Sequence, residues 1–219
     1  MHRCLLSDVA HTRQEQKAQT RQALLDTALR LLEDRSLDSL GLREITREVG
    51  IVPTAFYRHF PDVASLGVAL VEQCLGGLRV AVRTVRDGIA DSDAVIGRSL
   101  EVLLSQLHER REHFRFIARE RHGGVAAVRR AIREQLDLSA ADLATDLLTQ
   151  RLPHEARLDR WQPQDLRMLA ELIVNHMVLT AAALLEVPAG DRAAESDVLD
   201  LAERQLRLIA LGSRHWPGS

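Results

Sequence analysis

The sequence predicts an all-α protein: a small N-terminal helix-turn-helix domain followed by a larger helical bundle. Three observations carry that expectation. Ala, Leu, Arg and Glu dominate, and no segment alternates β-branched residues in the manner of a strand. Apolar residues recur at helical spacing in nearly every segment. Gly and Pro fall between those segments, where they act as punctuation. The chain has 219 residues, 27% charged and 46% hydrophobic, ordinary values for a globular protein with a real core.

The first helix is expected over 12–34, with Ala23, Leu24, Ala28, Leu31 and Leu32 on one face. A short helix follows over 42–49, and another from Pro53 to Phe60. Asp62 suits the cap of a long helix over 63–87, with Leu66, Leu70, Cys74 and Leu78 in register. Gly88 ends it. Ile96, Leu100, Leu103, Leu104 and Leu107 mark a helix over 92–108. The stretch "REHFRFIARER" reads as a further helix closed by Gly123-Gly124, and 125–150 as another. "LPHEARLDRWQP" is the longest loop-like stretch. Two last helices, 164–186 and 192–211, flank "VPAGD". The natural boundary divides 12–62 from 63–219.

Residues 42–60, "LREITREVGIVPTAFYRHF", are the most informative. The chain holds only seven aromatic residues, and three of them, Phe56, Tyr57 and Phe60, fall here. On a helical wheel Leu42, Ile45, Thr46 and Val49 lie within an arc of about 80°, with Arg43 and Arg47 on the flank. Gly50 permits a sharp turn. Pro53 suits the first position of the next helix. Ile51 and Phe56 have the spacing of a hydrophobic staple. In that second helix Phe56 and Phe60 share one face. Thr54, Tyr57 and Arg58 share the opposite one, with Ala55 between and His59 at the border. Such a helix fits a major groove roughly 12 Å wide. The expected DNA-contacting set is Arg43, Thr46, Arg47, Thr54, Ala55, Tyr57, Arg58 and His59, against the plainer alternative of a bundle with a polar outer face.

The bulk numbers constrain less. Net charge is −2, and residues 1–60 hold nine Lys/Arg against eight Asp/Glu, so DNA binding would need a local positive face. Two cysteines, Cys4 and Cys74, make neither a disulfide framework nor a metal site. "MHRCLLSDVA" has too short an apolar run for a signal peptide, and no stretch approaches the ~18 apolar residues of a membrane span. A cytoplasmic protein is therefore expected. An enzyme is not: there is no GxSxG, P-loop or Cys/His cluster, and Glu109, Glu112 and His113 share a helical face without a second Glu-x-x-His. No cofactor and no metal are expected.

Residues 20–66, "TRQALLDTALRLLEDRSLDSLGLREITREVGIVPTAFYRHFPDVASL", resemble the DNA-binding domain of TetR-type transcriptional regulators through the first helix, the Gly50 turn and the Tyr57–His59–Phe60 signature. The resemblance implies an all-helical homodimer on a DNA palindrome, with a small-molecule effector in the C-terminal domain. Gly41 and Val52 stand where the family often has Ser or Thr caps, and Val63 where it usually has Lys. "PTAFYRHFPDVASLG" and the later "FRFIARERHGGVAAVRRAI" resemble the FabR/DesT type of repressor of unsaturated fatty acid synthesis. That narrower likeness implies long-chain acyl-CoA or acyl carrier protein thioesters as effector. The runner-up is a repressor of an efflux or catabolic operon answering another apolar molecule.

The ligand set expected on that basis is Leu103, Leu107, Phe114, Phe116, Ile173 and Met177 along an apolar tunnel. Arg119 and Arg121, with His122, would stand near thioester phosphates, with a solvated charge run as the alternative. Leu169, Leu172, His176, Leu201 and Leu208 on the last two helices are candidates for a four-helix dimer interface, with intramolecular packing as the alternative.

Overall fold

The computed structural model describes residues 2–88, 92–149, 161–213 and 215–216. Among them the chain is helical throughout its regular structure, with no strand. The helices are α1 (His2–Leu31), α2 (Leu42–Val49), α3 (Pro53–Phe56), α4 (Val63–Gly88), α5 (Ser92–Glu109), α6 (Arg111–Glu120), α7 (Ala126–Leu148), α8 (Pro163–Glu186) and α9 (Arg192–Ser213). A 3-10 turn, Leu37–Ser39, adds a short element that the sequence pattern does not announce. Most of "LPHEARLDRWQP" lies outside the described residues.

Two helices differ from expectation at their ends. α1 begins ten residues earlier than the expected residue 12 because no Gly or Pro occurs before Gly41 to stop it. It ends at Leu31 rather than 34: Glu33 and Asp34 would place negative charge at the negative end of the helix dipole. α3 is four residues long, not eight. Beyond Phe56 the chain tightens, with Arg58 N–H donating to Ala55 O at 3.2 Å and His59 N–H to Phe56 O at 2.8 Å. Pro61 follows, and the residue before a proline is driven away from helical geometry.

The chain divides into two compact units. The first joins Met1–Val71 to Arg115–Ala131, and the second joins Glu72–Phe114 to Ile132–Ser219. In the first, Leu24, Ala28, Ile45, Phe56, Leu66 and Val128 are wholly buried. α4 comes so close here that a methyl group on Gly67 would collide with the side chains of Leu37 and Val128. Asp62 caps α4: its carboxylate accepts the Ser65 N–H at 2.6 Å, and that bond holds its pKa below the usual carboxylate value.

In the second unit, Val95 of α5, Ala140, Leu143 and Leu147 of α7, and Leu166, Leu169 and Ala170 of α8 form one apolar cluster. Leu100 of α5 with Ala202 and Leu206 of α9 form another. Arg86 and Asp146 make a buried ion pair at 2.9 Å between α4 and α7. Arg111 donates to Leu185 O and Val187 O, taking up carbonyls at the end of α8. Cys74 is buried, which pushes its thiol pKa up to about 12.

One sequence expectation needs correcting. Val63–Arg86 and Pro163–Glu186 are each long and apolar enough to cross a membrane by length and composition. In this fold those apolar residues serve other ends: Leu66, Leu70 and Val71 of α4 and Leu166, Leu169 and Leu184 of α8 are core residues.

Candidate nucleic-acid interface

α2 follows Gly41, whose missing side chain gives no capping bond, and leaves Arg43 and Arg47 exposed while burying Ile45 and Thr46. Thr46 is only 1% exposed, and its hydroxyl donates to the Leu42 and Arg43 carbonyls of its own helix. That placement turns it inward, away from the exposed side chains of Arg43 and Arg47. The wheel had already grouped Thr46 with the apolar residues.

Gly50 then takes a left-handed conformation, φ 77° and ψ 28°. Its N–H donates to Arg47 O at 3.2 Å, and the next N–H, of Ile51, reaches back to Thr46 O at 2.9 Å. This pair of bonds is the Schellman motif, which satisfies the end of α2 and turns the chain sharply. Val52, extended and without a side-chain cap, leads into Pro53 at the start of α3.

α3 and the turn after it separate their aromatic residues by face. Phe56 and Phe60 are 0% and 2% exposed, with ring centroids 5.7 Å apart. Tyr57 is 60% exposed, with its ring edge-on to Phe56 at 5.9 Å. Thr54 and Arg58 are exposed beside it, and Ala55 is half-buried. The buried pair anchors the segment, and the exposed triad is what it presents outward. His59 is half-buried, with a buried Nδ1 that has no hydrogen-bond partner among the described residues. Burial first, then the charges of Lys17, Arg21 and Arg58, lowers its pKa, so the ring is neutral at pH 7.

Arg21 of α1 is a residue that the sequence reading missed. Its guanidinium donates to the His59 carbonyl at 3.0 Å and lies 4.2 Å from the centroid of the Phe60 ring. It thus closes the end of the recognition segment with a cation, a carbonyl bond and a cation–π contact at once. The two ends of that contact are 38 residues apart, so no local pattern reveals it.

The other expected site residues distribute as follows. Leu103, Leu107 and Phe114 are buried in the second unit, with Ile173 and Met177 half-buried against its α5–α9 cluster. Phe116 is buried in the first unit. Arg119, also in the first unit, donates to three backbone carbonyls, those of Leu32, Glu33 and Arg35. Arg121 is half-buried and His122 exposed. Leu172, Leu201 and Leu208 are more than half exposed, together with Leu179 and Leu211. Leu169 instead points into the core, and His176 faces the Ala202 carbonyl of α9 at 3.3 Å. His108, next to Glu109, pairs with Glu195 of α9 at 2.7 Å.

Residues 24–69 match the model of the bacterial regulatory proteins of the tetR family. Solved structures resemble the chain over most of its length. The transcriptional regulator FadR from Bacillus subtilis, in complex with stearoyl-CoA, shares 13% identity over 86% of this chain and 97% of that one, at a TM-score of 0.63. The fatty acid degradation regulator FadR from Bacillus halodurans shares 14% identity over 89% and 96%, at 0.64. RolR in complex with resorcinol shares 23% over 90% and 95%, at 0.51. At these identities the likeness speaks for the fold, and the match at 24–69 speaks for the domain. Residues 24–69 thus carry a tetR-type regulatory domain, set in an all-helical fold like that of these solved regulators.

Proposed function

We propose that this protein is a homodimeric repressor that binds a DNA palindrome and responds to long-chain acyl-CoA or acyl carrier protein thioesters, controlling genes of fatty acid desaturation or unsaturated fatty acid synthesis. The observation that carries the DNA-binding half is the outward triad Thr54, Tyr57 and Arg58 on a segment anchored by Phe56 and Phe60. Arg43 and Arg47 of α2 and the N-terminal residues of α3 flank it, as in helix-turn-helix docking, where base edges and phosphates are met from adjacent turns. Thr46 is left out of the contact set because its hydroxyl is spent on its own helix.

Fold likeness to a regulator solved with stearoyl-CoA supports the acyl-thioester half, together with the resemblance of the 114–132 stretch to the FabR/DesT type. Leu103, Leu107, Phe114, Ile173 and Met177, all of the second unit, are proposed to line the acyl chain's path. Arg119 is already engaged by carbonyls. The exposed stripe of Leu172 and Leu179 on α8 with Leu201, Leu208 and Leu211 on α9 is the proposed dimer face. α4 follows the recognition segment directly and runs on past Val71 into the second unit. A ligand that shifts α4 changes the spacing of the paired recognition segments. Half-sites tolerate little such change, because successive major grooves recur at about 34–36 Å.

A second reading, a catabolic or efflux repressor answering a different apolar molecule, draws support from the fold likeness to RolR with resorcinol. Mobility shifts separate the two. With an operator selected from random duplexes by the wild-type protein, stearoyl-CoA or oleoyl-CoA should change the affinity and resorcinol should not. If neither acyl-CoA has any effect, the lipid reading fails.

A further inference from the structure

The last turn of α6 lies in the first unit, together with the helix-turn-helix, although α6 begins at Arg111 in the second. Its contacts there are specific. The Arg119 guanidinium donates through Nη1 to Leu32 O at 2.5 Å and Arg35 O at 2.7 Å, and through Nη2 to Glu33 O at 2.8 Å. These carbonyls follow the end of α1, where the helix dipole is negative and carbonyls lack helical partners, so a cation with a rigid fork of donors fits them well. Glu120, 1% exposed, accepts the Leu37 N–H at 2.8 Å. The turn after α6 closes over that carboxylate, since a side chain at Gly123 would collide with it.

The corner held in this way is also the seat of α2. The side chain of Arg35, whose carbonyl Arg119 grips, donates to Leu31 O at 2.8 Å and to the Glu44 carboxylate of α2 at 2.6 Å. The Arg35 guanidinium holds the Glu44 pKa below its usual value. A continuous set of bonds therefore runs from α6 through residues 32–37 to α2, the first helix of the helix-turn-helix.

We propose that Arg119 and Glu120 are positioning residues for DNA recognition: the last turn of α6 completes the DNA-binding domain by fixing the α1–α2 corner on which α2 is oriented. Neither residue meets DNA in this account. Their effect passes through Arg35 and Glu44, and it does not depend on which effector the protein answers.

The test is Arg119→Gln in the full-length protein, measured on the operator selected by wild type and on a random duplex. Losing the charged fork should lower the ratio of specific to non-specific affinity about tenfold. The helical content should be kept, and the Leu37 amide should exchange faster with solvent. An unchanged ratio alongside faster Leu37 exchange overturns the proposal. So does a parallel loss on both duplexes, which would mark Arg119 as one more cation near phosphate. If Arg119→Gln does not fold, Glu120→Leu removes only the acceptor for Leu37, while Glu120→Gln keeps an acceptor oxygen. The ratio should fall in the first and recover in the second. A wild-type ratio in Glu120→Leu overturns the proposal equally.

Discussion

Arg21→Ala tests how the recognition segment is held from behind. The substitution removes a guanidinium bond of 3.0 Å to the His59 carbonyl and a cation 4.2 Å from the Phe60 ring centroid. Arg21 is exposed, so water can take over the carbonyl and the lost bond is worth about 0.5–1.5 kcal/mol. The cation–π contact adds about 0.5–1 kcal/mol at an exposed site. The sum is roughly 1–2.5 kcal/mol, and for a chain of 219 residues each kcal/mol moves the melting temperature about 2–4 °C. Thermal denaturation followed by circular dichroism should therefore show a fall of about 2–10 °C. Arg21→Lys keeps the charge but not the planar fork, so it should fall between the two. Operator affinity should drop in Arg21→Ala as the carbonyl end of the recognition segment loosens. An unaltered melting temperature together with unaltered amide protection at His59 and Phe60 would show that Arg21 does not hold the segment.

Four further outcomes follow from named residues. Gly50→Ala meets no atom within 4 Å, so its cost is the left-handed backbone alone, about 1–2 kcal/mol, read from a denaturant midpoint. His59 has a depressed pKa in the fold, so below about pH 6.5 the unfolded chain binds a proton that the folded chain refuses. Stability should decline as pH falls from 6.5 toward the folded value, and His59→Gln should flatten that decline. Asp62 adds a second, more acidic loss: its stabilisation is present above the usual Asp pKa and disappears as pH falls through the lowered one. Finally, Leu172→Glu with Leu208→Glu should shift light scattering from dimer to monomer, because both side chains are more than half exposed on the proposed dimer face. An unchanged dimer would move the interface elsewhere.

The sequence showed the helix-turn-helix so clearly because its determinants are local. Gly50 stands at a left-handed turn, and the wheel that separated Phe56 and Phe60 from Tyr57 and Arg58 depends only on neighbours within two turns. The limits of α2 are read correctly for the same reason. Length is harder. α3 stops at Phe56 because Pro61 and the packing of Phe60 tighten the following turn, an effect that helical periodicity alone does not register. Contacts across the chain are invisible to spacing. Arg119 reads in sequence as a member of a basic run suited to phosphates, yet it reaches carbonyls more than 80 residues away. Leu169 and Leu172 are both apolar and close in sequence, but only the packing of α8 shows that one is core and the other surface.

The exposed face of the recognition segment is proposed to meet DNA while its buried face positions it. Operator affinity of Arg58→Ala, measured by fluorescence anisotropy beside its melting temperature, tests this most directly. The Arg58 side chain is exposed and makes no hydrogen bond or ion pair among the described residues, so its removal should leave the melting temperature and the proposed dimer unchanged. The lost contact should weaken operator binding by about tenfold, the scale of one base or phosphate contact. Wild-type affinity in that variant would show that this face does not meet DNA.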